Sequence, residues 1–130
     1  MNHWLVKSEP VKYAWEQFET DGRTCWDGVR NYQARNNLQA MRNGDWVLYY
    51  HSNEGKEIVG IAKVVREAYP DPTDPAWLAV DLVPEQKLVP PVTLEQIKAD
   101  PRLAHIGLIR QSRLSVMPVS QAEFDAVIGL

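Results

Sequence analysis

The 130-residue sequence predicts an α+β domain: a curled sheet or β-barrel of mostly antiparallel strands, decorated by short helices. Three observations carry this. The middle of the chain alternates apolar and polar residues with the period of two that half-buried strands need. Short helical stretches with legible caps interrupt the strands. No βαβ rhythm organises the order, which disfavours a doubly wound parallel sheet.

The elements follow in chain order. His3 to Lys7 predicts a strand, ended by Glu9-Pro10. Tyr13 to Glu19 predicts a short helix that stops at Asp21-Gly22, and Thr24 to Trp26 a small strand. Asn31 offers an N-cap for a helix from Tyr32 to about Met41, closed by Asn43-Gly44. Asp45 to His51 is strand-like, with Trp46, Leu48 and Tyr50 on one side and Val47 and Tyr49 on the other. Asn53-Glu54-Gly55-Lys56 suits a hairpin turn into a strand from Ile58 to about Glu67, within which Gly60 marks a bulge or a close backbone approach. Pro70 to Pro75 suggests a loop, followed by a strand from Trp77. Thr93-x-x-Gln96 and Ser120-x-x-Glu123 are capping boxes, the second with Val119 and Phe124 spaced as a hydrophobic staple. Asp100-Pro101 has the look of a cap followed by proline at the first helical position, and Arg113 to Val119 that of a last strand.

Composition narrows the class. Apolar residues make up 45% and charged residues 24%, which is ordinary for a single globular domain. No apolar run reaches the ~18 residues of a membrane span, and Met1-Asn2-His3-Trp4 does not begin a secretory signal. The lone Cys25 excludes an internal disulfide and cysteine-paired zinc sites, and a cytoplasmic setting is expected, or a nuclear one in a eukaryotic source. The net charge of −3 argues against gripping polyanions by bulk electrostatics. Charge is unevenly placed, however. Arg23, Arg30, Arg35 and Arg42 share their segment with the single acid Asp27, and Arg102, Arg110 and Arg113 lie in one with no acid. The acids gather between Glu67 and Glu85. The two arginine segments, Arg23–Arg42 and Arg102–Arg113, are expected to converge on one face around the mouth of a pocket, with the segment Glu67–Glu85 lying away from it. A merely solvated surface fits the same pattern.

Catalytic patterns are weak. His3, His51 and His105 have no metal-ligand spacing, and there is no nucleophile elbow, phosphate-cradling loop or dinucleotide fingerprint. Cys25 beside Trp26 fits a small buried hydrophobe better than a nucleophile. The stretch from Trp26 to Asn37 differs in kind, because it is polar where a core helix needs an apolar stripe. Tyr32, Arg35 and Asn36 fall on one helical face, and the N-cap leaves backbone N–H groups free for an acceptor. A solvated helix with a polar entry turn is the alternative.

Several longer motifs carry a resemblance. Trp4-Leu5-Val6-Lys7-Ser8-Glu9-Pro10, the run from Trp26-Asp27-Gly28-Val29-Arg30-Asn31 to Asn36, Tyr50-His51-Ser52, and Arg110 to Val116 resemble the EVE-domain family of the PUA-like superfamily, in order along essentially the whole chain. Where the family often has Ser or Thr ahead of the first helix, this chain has Val11-Lys12. The resemblance implies a PUA-like barrel without catalytic activity or cofactor that recognises a modified nucleobase in DNA or RNA. The related YTH domains share the order Lys7-Ser8, Trp26, Tyr50-His51-Ser52-Asn53 and Gly60-Ile61-Ala62, which implies Trp26 as one wall of an aromatic cage and Trp77 as a second.

On these grounds the base pocket is expected from Trp26, Ser8, Asp27, Asn31, Tyr32, His51, Ser52 and Trp77. Aromatic rings suit stacking, and hydroxyl, amide and carboxylate groups suit the base edge. Lys7, Arg30, Arg35, Arg110 and Arg113 are expected on flanking phosphates. Trp4, Trp15 and Trp46 are expected in the core. The expected partner is a single-stranded or flipped-out base, with no metal and no membrane, bound by a monomer or weak dimer. Two other classes remain: an enzyme on modified nucleotides using Glu9, Asp27 or His51 as acid or base, and a small-molecule-binding module.

Overall fold

The computed structural model describes residues 1–130. Its elements are β1 (His3–Ser8), α1 (Trp15–Asp21), β2 (Thr24–Trp26), α2 (Tyr32–Ala40), β3 (Trp46–His51), β4 (Glu57–Asp71), β5 (Asp74–Thr93), α3 (Leu94–Ala99), a 3₁₀ turn (Pro101–Leu103), α4 (Gly107–Arg110), β6 (Val116–Val119) and α5 (Gln121–Ile128). The strands form one six-stranded sheet in the order β2-β5-β4-β3-β1-β6. Only β1 and β3 pair in parallel, and the other four ladders are antiparallel. The architecture is therefore α+β and mostly antiparallel, as expected. The barrel is a different matter: the order ends at β2 and β6 with no ladder between them, so the hydrogen-bonded sheet is open.

Caps explain several boundaries. The Asn31 side chain accepts from the Ala34 N–H at 2.9 Å and starts α2. Both capping boxes are complete, at Thr93–Gln96 and Ser120–Glu123. Helix α1 begins at Trp15, two residues later than expected, on Ala14, which has no side chain to cap it. Two expectations needed larger correction. The segment from Pro70 to Pro75 is not a loop; it is the turn region of a hairpin joining a 15-residue and a 20-residue strand. Strand β5 runs on through Pro84, Pro90 and Pro91. It tolerates them because β2 covers only Val80 to Leu82, so these prolines lie where β5 has β4 alone as neighbour. The last strand begins at Val116, because Gly107–Arg110 and the turn after it precede it.

One core joins the sheet to α1, α2 and α5. Trp15, Phe18 and Tyr49 are fully buried in it, with rings 5.3–5.5 Å apart. Gly60 lies under Trp15: a Cβ there would sit 2.5 Å from the indole, and the β4 register shifts between Ile58 and Gly60. Trp4 is buried and donates its indole N–H to Asp45 at 2.9 Å, while Trp46 is half-buried against the core. No helix is long and apolar enough to cross a membrane.

Candidate nucleic-acid interface

The carboxyl ends of β1 and β3 line a cavity, through Lys7 and Ser8 and through Tyr50 and the following Ser52. In the parallel ladder Lys7 lies opposite Tyr50, and the Ser52 N–H donates to the Ser8 carbonyl at 2.9 Å. Strand β2 delivers Thr24, Cys25 and Trp26 to another wall, and the turn after it delivers Asp27 to Arg30. The segment before β6 closes the cavity with Ser112, Arg113 and Ser115. It is tied to β1 by the Lys7 N–H to the Ser115 carbonyl at 3.0 Å and by the Lys7 ammonium to the Ser112 carbonyl at 2.7 Å. The space measures about 980 Å³, at the upper end of the usual range for small-molecule pockets.

Five cations, Lys7, Lys12, Arg30, Lys56 and Arg113, line it against two carboxylates, Glu9 and Asp27. Glu9 is engaged by Lys12 at 3.4 Å and by the Asn53 amide, whereas Asp27 is exposed and forms no ion pair. Lys7 is half-buried, and burial pushes its ammonium below the ordinary lysine range. Burial likewise pushes the Cys25 thiol up, away from the thiolate form. The cavity is thus locally basic on an acidic chain, and it holds no cluster of three His, Cys, Asp or Glu fit for a metal ion.

Trp26 forms a wall, but only 9% of it is exposed. Its ring meets Tyr49 at 5.4 Å and Tyr13 at 6.4 Å, both edge-on, which fixes its plane against the core. The turn behind it is held by Asp71, whose side chain has no exposed surface. Asp71 accepts from the Gly28 N–H at 2.9 Å, from Arg30 at 3.0 Å, and from the Thr73 hydroxyl and N–H. Burial alone would raise its pKa, but the donors from Thr73, Gly28 and Arg30 outweigh that and hold it well below the usual carboxylate range. Gly28 takes φ +77°, the left-handed conformation that lets its N–H turn toward Asp71.

Of the expected residues, Lys7, Ser8, Trp26, Asp27, Arg30, Ser52 and Arg113 line the cavity together. Six do not. Asn31 is occupied as the cap of α2. Strand alternation turns His51 away from Tyr50's side, and its Nε2 accepts the Trp15 N–H at 3.1 Å. Arg110 folds back on the Ala104 carbonyl at 3.2 Å and on His105. Tyr32, Trp77 and Arg35 form a separate surface cluster: Tyr32 and Trp77 lie 5.0 Å apart, with Arg35 5.7 Å from Tyr32. Among the lining residues that were not expected are the cations Lys12 and Lys56 and the apolar Tyr13, Tyr50, Leu94 and Leu108. Cys25 is half-exposed in the wall, where a buried hydrophobe was expected.

The charge expectation holds in part. The two arginine segments do meet, through Gln33 to Gln111 at 3.0 Å and Asn37 to the Val116 carbonyl at 2.7 Å. The acidic segment does not lie away from them. Asp71 pairs with Arg30 and Asp81 with Arg23, because β5 ladders directly onto β2.

Comparison with known proteins gives a consistent picture. Human thymocyte nuclear protein 1 is 36% identical over 165 aligned residues, covering 99% of this chain and 73% of the relative. A solution structure of a Rhodopseudomonas palustris protein is 50% identical with a TM-score of 0.94, covering 99% of this chain and 92% of that one. A crystal structure of the human THYN1 protein in complex with DNA containing 5-methylcytosine is 34% identical with a TM-score of 0.93, covering 99% and 96%. The family model for the EVE domain matches residues 2–130, and the chain belongs to the EVE-domain family.

Proposed function

We propose that this chain is a non-catalytic module that binds DNA or RNA by taking one modified base into the cavity walled by Trp26. One observation carries the reading: a flat indole held edge-on by Tyr49 and Tyr13 stands in a cavity lined by five cations. An aromatic face stacks on any base, typically for ~1–3 kcal/mol. Ser8, Ser52 and Asp27 offer donors and acceptors to a base edge, and Lys7, Lys56 and Arg113, which form no ion pair, offer positive charge to a phosphate attached to that base. The complex of the human relative with 5-methylcytosine-containing DNA supports a modified cytosine as the first base to try.

A titration of single-stranded DNA and RNA oligonucleotides, each with one modified or unmodified central base, tests the proposal. Saturable binding that depends on the central base, with the oligonucleotide recovered unchanged in mass, is expected. Turnover of the oligonucleotide would establish the enzyme alternative, and equally tight binding of unrelated metabolites would establish a small-molecule module.

A further inference from the structure

Outside the cavity, the start of α2 and the β4–β5 hairpin bring two aromatic rings and two guanidinium groups together. Tyr32 is 69% exposed, an unusual position for a large ring on an otherwise polar helix face. It lies 5.0 Å from Trp77 at an interplanar angle of 31°. Arg35 sits 5.7 Å from the Tyr32 ring, and Arg30 sits 5.6 Å from the Trp77 ring. Arg30 is also part of the cavity wall, so this one side chain links the cluster to the cavity.

The charges are not equivalent. Arg30 is neutralised by Asp71. Arg35 has no carboxylate partner; one guanidinium N–H donates to the Ala76 carbonyl at 3.3 Å, and its Nε is buried with no hydrogen-bond partner at all. An exposed aromatic ring beside an unpaired guanidinium is suited to a group that is flat, apolar on its face and anionic at its edge. A nucleotide has that chemistry: the base stacks and the phosphate pairs.

We propose that Tyr32, Trp77 and Arg35 form a stacking platform for the nucleotide adjacent to the one in the cavity, with Arg30 as the shared wall between the two sites. This rests on the base-pocket reading above and adds a second subsite to it. The platform gives affinity without sequence preference, because every base has a π-face.

The test compares two probes, 5-methyl-2′-deoxycytidine 5′-monophosphate and a single-stranded DNA pentanucleotide with 5-methylcytosine at its centre, on the wild-type chain, Tyr32→Ala and Tyr32→Phe. The wild type should bind the pentanucleotide more tightly than the mononucleotide. Tyr32→Ala should lose about tenfold in pentanucleotide affinity and leave mononucleotide affinity unchanged, while Tyr32→Phe should keep the wild-type value for both. Unchanged pentanucleotide binding by Tyr32→Ala, an equal loss for both probes, or a Tyr32→Phe variant as weak as Tyr32→Ala would overturn the platform and leave the pocket standing. Failure of the wild type to bind either probe would overturn the pocket reading and the platform with it.

Discussion

Asp71 has no exposed side-chain surface, yet it lies directly behind the turn that follows Trp26 and holds both Gly28 and Arg30. Asp71→Asn replaces an acceptor-only group with one that must also donate, and leaves the Arg30 guanidinium without its counter-charge. Chemical denaturation should show a loss of about 1–3 kcal/mol, the cost of mispairing the donors that a buried acceptor had satisfied. Because its folded pKa is depressed, the stabilisation by Asp71 is complete above the unfolded value near ~4 and disappears as pH falls through the folded one. His51 titrates in a more accessible range. Burial lowers its pKa, against the opposing pull of Glu16 and Glu57, and its Nε2 must be unprotonated to accept the Trp15 N–H. Stability should therefore fall as pH drops below the unfolded histidine value of ~6.5, and that part of the pH dependence should be absent in His51→Gln. Trp26 belongs to the core as well as to the cavity. With 9% of its surface exposed, Trp26→Ala should cost both ligand affinity and roughly 3 kcal/mol of stability, so Trp26→Leu, with the variant's folding verified by circular dichroism, is the cleaner probe of stacking.

At the scale of the element, Gly60 shows how a strand is adapted to what packs on it. A methyl group there would stand 2.5 Å from the fully buried Trp15 indole, so Gly60→Ala should destabilise by about 1–3 kcal/mol and lower the melting temperature even though alanine suits a strand better than glycine. The sequence pattern marked this glycine by its place inside a strand, though not its remote partner Trp15, and it marked the Asn31, Thr93 and Ser120 caps because the partner of each cap lies within four residues. It failed where the partner is remote. The prolines of the β4–β5 hairpin looked like loop residues because tolerance of proline depends on whether a second strand lies alongside, and only the three-residue β2 decides that. Helix α4 has no capping side chain and spans four residues, too few to show a period. The cavity was legible as far as the motifs around Lys7-Ser8, Trp26 to Arg30 and Ser52 reach. His51 and Trp77 were misplaced because motif order does not reveal which face of a strand a side chain takes, and Tyr50 and Leu108 were missed because apolar lining has the same sequence signature as core.

At the scale of the whole molecule, an acidic chain presents a basic cavity, and this sets how it should behave toward nucleic acid. The net charge is −3, while five of the fourteen basic residues line one cavity with two acids. Long-range attraction to a polyanion is then weak, and binding depends on what enters the cavity rather than on how many phosphates lie along a surface. Of the cations, Arg30 is paired with Asp71 and Lys12 with Glu9, which leaves Lys7, Lys56 and Arg113, with Arg35 outside, to meet phosphate. If two or three phosphates are engaged, the logarithm of affinity for a single strand should fall with the logarithm of salt at a slope of about −1.5 to −2, far shallower than for a duplex binder with many contacts. The same economy bears on strandedness. Extracting a base from a duplex costs a few kcal/mol, comparable to what one stacking wall returns, and few additional phosphate contacts exist here to offset it. Single-stranded or end-exposed ligands should therefore bind more tightly than fully paired ones of the same sequence, by about tenfold or more. Salt-dependent anisotropy on matched single- and double-stranded ligands checks both expectations together. A steep slope with a preference for the paired ligand would mean that the duplex backbone, gripped by a surface other than the cavity, dominates the interaction.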